Sequence, residues 1–230
     1  TLAFVHTAAD GDRSFSFYRE PGADMMLSES EIDYSQIADA KIFHFGTLSM
    51  THDGVRAATI KAVDYAKSHG LLISFDPNYR PPLWKKEEAA KEMIRYGCSV
   101  CDILKISDDE ITFIMEKDTV EEAIPLFLEM HRPKLMCVTC GKHGSIAIYK
   151  DMQVACDAVL RPDTIETTGA GDTFMGCMLN YVLEHGIENL TEDDLRRMQQ
   201  FAAMAASIIT TRKGALKVMP TKNEIRADEL

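Results

Sequence analysis

The feature that most constrains the fold of this chain is the alternation of short apolar runs with longer segments of helical spacing. Apolar residues recur at helical intervals from Asp53 to His69, and Gly70 then supplies a typical helix end. Short apolar runs flank this segment at 41–45 and 71–75. Strands that alternate with helices in this way imply parallel pairing. The sequence therefore predicts an α/β fold with a doubly wound, mainly parallel sheet and helices on both faces.

The same alternation continues towards the C-terminus, whereas the N-terminus follows a different pattern. Apolar or alternating runs at 2–5 and 14–18 flank Asp10-Gly11-Asp12, which is a hairpin signal. We expect residues 1–24 to form part of a small β lid and residues 25–230 to form the α/β domain. Further helices are predicted at 87–96, from Ser107, at 120–131, 171–185 and 195–210, and further strands at 103–106, 135–139, 145–149 and 156–160.

The charge of the chain narrows the choice of partner. Among 230 residues, 25 are Lys or Arg and 36 are Asp or Glu, so the formal net charge is −11. A general nucleic-acid binder needs a basic face, so we expect no nucleic-acid partner. An anionic ligand stays compatible, because backbone N–H groups at a helix start bind phosphate even in an acidic protein. No apolar run approaches the roughly 20 residues that cross a bilayer, so we expect no membrane partner.

Two C-x-x-C pairs, Cys98/Cys101 and Cys137/Cys140, suggest a zinc site at first sight. The pairs lie further apart along the chain than the pairs of ribbon-like zinc sites do. Cys137 and Cys140 also fall on an apolar strand, where residues three apart face opposite sides. We favour buried, reduced thiols and a cytoplasmic location, and we keep a zinc protein as a distant alternative.

The loop from Thr167 to Asp172 is the most informative stretch. Its small residues permit a tight turn, and a helix follows at once, so free N–H groups and the positive end of the helix dipole converge on one point. This arrangement predicts an anion hole. Asp172, in the first helical turn, is a candidate for accepting a proton from an attacking hydroxyl. The alternative is an ordinary helix start in which Asp172 is a stabilising first-turn acid.

Thr167-Thr168-Gly169-Ala170-Gly171-Asp172-Thr173-Phe174 resembles the C-terminal signature of the PfkB, or ribokinase-like, carbohydrate kinases. Supporting segments follow the order of that family, and the resemblance extends over essentially the whole chain. Two of them, Val138 to Gly144 and Thr211 to Ala215, resemble the nucleotide loop and the segment that closes the ATP pocket in the family as a whole. The others are similar to its bacterial fructokinase branch: Arg13 to Asp24 of the lid, the run Asp76-Pro77-Asn78-Tyr79-Arg80-Pro81-Pro82-Leu83-Trp84, and Lys105 to Glu110.

The resemblance implies an ATP-dependent phosphotransferase acting on a sugar hydroxyl, with fructose as the best candidate. Asp172 would be the catalytic base, and Gly169, Ala170 and Gly171 would donate N–H groups to the transferred phosphoryl group. Asn78 and Arg80 would lie near the phosphates and the substrate, and Arg80 has the planar fork that suits phosphate. The implied nucleotide-binding residues are Lys105, which would reach phosphates or acidic neighbours, together with Thr139, Gly141, Gly144, Ala203, Ser207, Lys213 and Gly214.

The implied cofactors are ATP and Mg²⁺, with K⁺ as a candidate second ion. Glu110 would organise Mg²⁺ through water, although Ser107-x-x-Glu110 is also a helix capping box. Glu166 stands where the family usually has an aspartate that helps to hold a monovalent cation. For Ala203, Met204 and Ser207, near the adenine by helix position, a place in the helix core is the stronger interpretation.

Several alternatives stay open. Nothing in residues 1–40 matches the Gly-Gly-rich start of the family, so we expect the chain to be the C-terminal part of a longer kinase with its first strands missing. 2-Keto-3-deoxygluconate kinase is the closest rival, since it shares a similar N-Y-R-x-x-L-W run. A protein of another class would bind nucleotide or sugar phosphate on the same fold without catalysis. The lid strand at 13–18 suggests a homodimer formed through the lid.

Overall fold

A computed structural model of the chain describes residues 1–7, 13–20 and 22–225. Its internal contacts divide the chain into two compact units, Thr1–Pro133 and Lys134–Leu230. Among the described residues, no helix combines the length and the apolarity that crossing a bilayer requires.

The first unit opens with the predicted hairpin. Strands β1 (Leu2–Thr7) and β2 (Arg13–Tyr18) pair antiparallel, with Leu2 opposite Tyr18 at one end of the ladder. The hairpin is therefore confirmed, while its use as a lid stays a prediction. The turn predicted at Asp10-Gly11-Asp12 lies outside the described residues, as does Pro21.

Three parallel strands form the sheet of the first unit, as the alternation of strands and helices predicts. They are β3 (Ile42–Gly46), β4 (Leu72–Asp76) and β5 (Ile103–Ser107), paired in the order β3-β4-β5. The apolar side chains of β5 and most of those of β4 are buried, which explains why these two strands appear in the sequence as apolar runs, whereas Ile42 and Phe43 of β3 are half-buried. The helices of this unit are α1 (Tyr34–Ala38), α2 (Asp53–Ser68), α3 (Glu87–Val100), α4 (Asp108–Met115) and α5 (Val120–Met130).

Helix α3 corrects one predicted boundary. The sequence pattern placed its end at Gly97, but the helix continues to Val100. Gly97 has a packing role instead, because a Cβ atom at this position would lie 2.2 Å from Cζ of Phe75. A glycine inside a helix is thus explained by the ring of β4 that lies against it.

The second unit contains three antiparallel strands and two long helices. Strands β6 (Leu135–Thr139), β7 (Ser145–Tyr149) and β8 (Met152–Cys156) are joined by tight turns, so they do not follow the parallel pairing of the first unit. The strand predicted at 156–160 is wrong, since β8 ends at Cys156. Lys150, with φ of +54°, turns the chain directly from β7 into β8. Helices α6 (Ala170–His185) and α7 (Glu192–Ile209) complete this unit.

Candidate active site

The carboxyl ends of β4 and β5 carry a buried ion pair. The Nζ atom of Lys105 lies 3.0 Å from Oδ2 of Asp76, and less than a tenth of either side chain is exposed. Neighbouring parallel strands bring their ends to the same edge of a sheet, where ligands bind in α/β folds. Lys105 therefore contacts an acidic neighbour, one of the two partners predicted for it.

The loop after β4 is fastened to the start of helix α4 by Glu110. Oε1 of Glu110 accepts the backbone N–H of Tyr79 at 2.7 Å, and Oε2 accepts the N–H of Ser107 at 2.9 Å. The side chain of Ser107 accepts the N–H of Glu110 in return, which completes the predicted capping box. Glu110 thus positions the segment that carries Asn78 and Arg80.

The aromatic ring of Tyr79 gives this loop a second anchor. It stacks on Phe113 of α4 with ring centroids 4.7 Å apart, and burial raises the pKa of the Tyr79 hydroxyl. The neighbouring Asn78 adopts a left-handed conformation with φ of +48°. Arg80 is half-buried and donates to the carbonyl oxygen of Tyr79 at 3.0 Å.

Arg19 makes structural contacts that the sequence did not predict. Its side chain is only 10% exposed and forms an ion pair with Asp24 at 2.6 Å. The same guanidinium donates to Oγ1 of Thr51 and to the carbonyl oxygen of Leu48, both in the segment after β3. Arg19 therefore fixes the end of the hairpin to the sheet edge. Its position directly after an alternating strand and before Pro21-Gly22 was the available signal.

In the second unit, the predicted anion hole lies at the start of helix α6. Gly169 is the residue before the helix and has φ of +79°, a conformation that favours glycine. The N–H of Ala170 donates to the carbonyl oxygen of Thr167 at 3.2 Å, so this predicted donor is engaged within the turn. Within the described chain, the N–H groups of Gly171 and Asp172 have no protein acceptor. The N–H of Gly171, which is one of the three predicted donors, and the N–H of Asp172 are therefore available to an anion.

Asp172 lies in the first turn of α6, and its carboxylate is exposed. An acidic side chain at this end of a helix is stabilised by the helix dipole, whether or not it has a chemical role. The exposed position leaves the carboxylate accessible to a substrate hydroxyl. The structure is thus compatible with both interpretations of Asp172.

The loop at 211–215 approaches the anion loop through Glu166. Oε1 of Glu166 accepts the N–H of Gly214 at 2.9 Å, and Oε2 accepts the hydroxyl of Thr168 at 3.4 Å. Gly214 has φ of +124°, and the neighbouring Lys213 is exposed. The structure therefore brings Gly214 to the anion loop, while a contact of Lys213 or Gly214 with nucleotide stays a prediction.

The predicted nucleotide loop at Thr139 to Gly144 is the tight turn between β6 and β7. Thr139 and Ser145 are opposite each other in the ladder, and Gly141 lies between them with φ of +52°. Gly144 has φ of +96°, and a Cβ atom there would lie 2.0 Å from the carbonyl oxygen of Cys156. Packing alone therefore accounts for Gly144, and a contact with nucleotide stays a prediction for all three site residues.

The adenine-side residues predicted on helix α7 are mostly buried. Met204 is packed into an apolar cluster with Ala205 and Ile225. The hydroxyl of Ser207 is buried and donates to the carbonyl oxygen of Met204 at 2.8 Å, within its own helix. Ala203 is half-buried. These surroundings favour the helix-core interpretation for Met204 and Ser207.

The zinc alternative gains no support. None of the six cysteines forms a disulfide, and the part of the chain that the structure describes contains no group of three or more His, Cys, Asp and Glu suited to a metal ion. Burial raises the pKa of Cys101 to about 12, so this thiol is protonated at neutral pH. The cytoplasmic location stays a prediction.

Comparison with known proteins decides the family. Residues 1–222 match the pfkB family carbohydrate kinase. The chain belongs to this family. It is 38% identical over 223 residues to a probable fructokinase of Arabidopsis thaliana, covering 97% of this chain and 68% of that protein. It is 40% identical over 220 residues to a fructokinase of Oryza sativa subsp. japonica, covering 96% of this chain and 65% of that protein. The chain thus spans about two thirds of the length of these relatives.

Solved structures of the pfkB family share the fold. A fructokinase of Xylella fastidiosa with bound ATP has a TM-score of 0.81 and 29% identity, over 97% of this chain and 71% of that one. A fructokinase of Vibrio cholerae O395 with bound fructose, ADP and calcium has the same TM-score at 22% identity, over 97% and 73%. The mixed sheet with helices is therefore the ribokinase-like fold, as predicted. Because the sequence relatives quoted are plant proteins, assignment to the bacterial branch stays a prediction.

Proposed function

We propose that this pfkB family protein is an ATP-dependent fructokinase that transfers the γ-phosphoryl group of ATP to fructose, giving fructose 6-phosphate. The observation that carries the proposal is the start of helix α6. There an exposed carboxylate, Asp172, lies in the same turn as the uncommitted N–H groups of Gly171 and Asp172. The named fructokinases among its relatives support the choice of reaction.

In this proposal Asp172 accepts the proton of the sugar hydroxyl as that oxygen attacks the γ-phosphorus. The N–H groups at the helix start stabilise the charge on the equatorial oxygens of the transferred group, and the helix dipole adds to this effect. Arg80 and Lys105 are proposed to contact phosphate oxygens. For Lys105, this requires sharing its three donors with Asp76.

The contacts of Glu110 fit a role in binding Mg²⁺ through water. Each of its oxygens accepts one backbone N–H, and a carboxylate oxygen has a second lone pair. That lone pair can accept a hydrogen bond from a metal-bound water, since Mg²⁺ keeps much of its hydration. When bound, Mg²⁺ neutralises charge on the phosphates. The capping box and the metal role are therefore compatible in one side chain.

Fructose is the proposed acceptor, and 2-keto-3-deoxygluconate is its closest rival. The run from Asp76 to Trp84 resembles both kinases, but the relatives quoted above are fructokinases. A coupled assay of ADP release with fructose, 2-keto-3-deoxygluconate, glucose and ribose distinguishes them. The assay should use this chain and any longer product of its gene. We expect the highest kcat/KM with fructose, and no turnover of fructose by either form would overturn the choice.

A non-catalytic nucleotide-binding protein is the alternative of another class. The same assay, run beside calorimetric titration with ATP, separates the two. Binding of ATP with no phosphorylation of any acceptor in the panel would favour the binding protein. The carboxylate of Asp172 favours the enzyme, because a negative charge at the start of α6 repels an anion that is only to be bound, whereas Glu110 has a structural role in either protein.

We also propose that residues 1–24 act as a lid that pairs between two subunits. Leu2, Phe4 and Tyr18 share one face of the hairpin and are 58%, 53% and 63% exposed. An apolar strip of this kind is usually covered. Light scattering should give a dimer mass for the wild-type protein and a monomer mass for Phe4→Asp, whereas a wild-type monomer would contradict the proposal.

A further inference from the structure

Lys91 of helix α3 is a buried lysine that has no part in the reaction proposed above. Its ammonium group forms ion pairs with Glu87, one turn earlier in α3, at 3.1 Å and with Glu116, directly after α4, at 2.8 Å. Less than a tenth of the lysine side chain is exposed. Hydrogen bonds to Glu116 and then Glu87 raise the pKa of Lys91, so the group is charged at neutral pH. One buried cation therefore joins helix α3 to the end of helix α4.

The same ammonium group lies over an aromatic ring. Nζ of Lys91 is 5.0 Å from the ring centroid of Phe113 in α4, which is within the range of a cation–π attraction. Phe113 stacks on Tyr79, with ring centroids 4.7 Å apart and an angle of 17° between the planes. Burial and then Glu87 raise the pKa of the Tyr79 hydroxyl, whereas the charge of Lys91 lowers it. A continuous series of contacts thus leads from Lys91 through Phe113 to Tyr79.

Two residues joined to this series have a left-handed backbone. Asn78, directly before Tyr79, has φ of +48°, and Glu116 has φ of +54°. Residues other than glycine seldom adopt this conformation, and it persists where the surrounding contacts hold it. For Glu116 the contact is the ion pair with Lys91. Asn78 is held through its neighbour Tyr79, whose ring lies on Phe113.

We infer that Lys91 is a positioning residue for the loop after β4, on which it acts through the rings of Phe113 and Tyr79. This loop carries Asn78 and Arg80, and Arg80 donates to the carbonyl oxygen of Tyr79 at 3.0 Å. Loss of the cation should loosen the loop without removing a group that contacts ATP or the sugar. The effect on phosphoryl transfer rests on the proposed kinase function, whereas the contacts do not.

The contacts are tested by amide hydrogen exchange at Tyr79. Lys91→Met should raise the exchange rate of this amide about fivefold or more, because local opening becomes easier when the ring loses its support. Lys67→Met, at an exposed lysine of α2, removes the same charge and should leave the rate unchanged. A rise at Tyr79 no larger than the rise at the amides of α2 would mean general destabilisation and would overturn the inference.

Glu116→Gly separates positioning from stability. It removes one carboxylate partner of Lys91, but glycine favours the left-handed backbone at this position, so the unfolding midpoint should be unchanged or higher. The amide of Tyr79 should nevertheless exchange about threefold faster or more. Wild-type exchange in both Glu116→Gly and Lys91→Met would overturn the inference without reference to catalysis.

The consequence for catalysis is tested by kcat/KM for fructose in two backgrounds, using the active form of the protein. Lys91→Met should lower kcat/KM about tenfold in the wild type but less than about threefold in Arg80→Ala, because residues that act through one loop are not additive. No loss in the wild type, or an equal loss in both backgrounds, would contradict the inference. If the wild type phosphorylates no acceptor, the kinase proposal fails and the exchange experiments alone decide the positioning role.

Discussion

The carboxylate of Glu110 accepts the backbone N–H of Tyr79 at 2.7 Å, although 31 positions separate the two residues. This bond fastens the loop after β4 to the first turn of α4. This loop carries the predicted substrate residues Asn78 and Arg80. Their position therefore depends on the side chain of Glu110, which is itself fixed by a capping box. The positioning of this loop and the proposed binding of Mg²⁺ thus involve the same buried acid.

Glu110→Gln tests this dual role. Glutamine keeps one acceptor oxygen but turns an NH₂ group towards the second N–H, so one backbone donor loses its partner. We expect a loss of about 1 to 3 kcal/mol in the free energy of unfolding by urea. Affinity for MgATP should also fall. Asp109→Asn, an exposed acid of the same helical turn, is the control, and equal stability of the two variants would contradict the assignment.

Gly97→Ala tests the contact between helix α3 and Phe75. Because the added Cβ would lie 2.2 Å from the ring, we expect a loss of about 1 to 3 kcal/mol in unfolding free energy. Gly176→Ala, inside helix α6, meets nothing within 4 Å and should stabilise the protein by about 0.5 to 1 kcal/mol. Thermal unfolding of both variants gives the comparison. A neutral Gly97→Ala would show that the ring can move aside.

Lys105→Met tests the buried ion pair with Asp76. Removing one member of such a pair leaves a buried carboxylate without its cation, which costs about 3 to 5 kcal/mol. The double variant Lys105→Met/Asp76→Asn should lose less unfolding free energy than the two single variants together, because no buried carboxylate charge is then left without a cation. Urea unfolding of the four proteins completes the cycle. Additive losses would mean that the two groups do not interact.

Much of the fold could be predicted because its strands and helices carry strong periodic patterns. Asp53–Ser68 and β6 lie within one residue of their predicted bounds, since Gly70 and Gly141 follow them as clear end signals. The boundary error at Gly97 arose because a helix-ending glycine and a glycine packed under a ring look alike in sequence. The last strand was predicted too far along the chain, because Lys150 turns the chain in a left-handed conformation that lysine seldom adopts.

The site was predictable in its parts but not in its contacts. The helix start at Gly169 and the capping box at Ser107 follow from local chemistry that adjacent residues encode. The bonds from Glu110 to Tyr79 and from Glu166 to Gly214 join residues far apart in sequence. A single sequence without an alignment holds no signal for such pairs. For Arg19 the position between a strand and Pro21-Gly22 was a signal, but it did not indicate the partners Leu48 and Thr51.

The capping box of helix α7 predicts a pH effect. The hydroxyl and the N–H of Thr191, followed by the hydroxyl of Tyr181, donate to Asp194 and lower the pKa of its carboxyl to about 2. A lowered pKa in the folded state stabilises the protein above the unfolded pKa of about 3.9, and this is lost as the pH falls towards 2. The stability difference between wild type and Asp194→Asn should therefore shrink from pH 5 to pH 2. Urea unfolding of the two proteins at several pH values is the measurement, and a difference that stays constant over this range would contradict the assignment.

The central claim is that Asp172 is the base of a sugar kinase, and Asp172→Asn tests it most directly. The measurement is single-turnover phosphorylation of fructose by the active form of the protein, with the Kd for ATP determined by calorimetry on the same samples. We predict a fall in rate of about 100- to 10,000-fold, because the side chain no longer accepts the proton, while the Kd for ATP changes less than threefold. Phosphorylation at the wild-type rate would contradict the account and leave Asp172 as a helix-start acid alone.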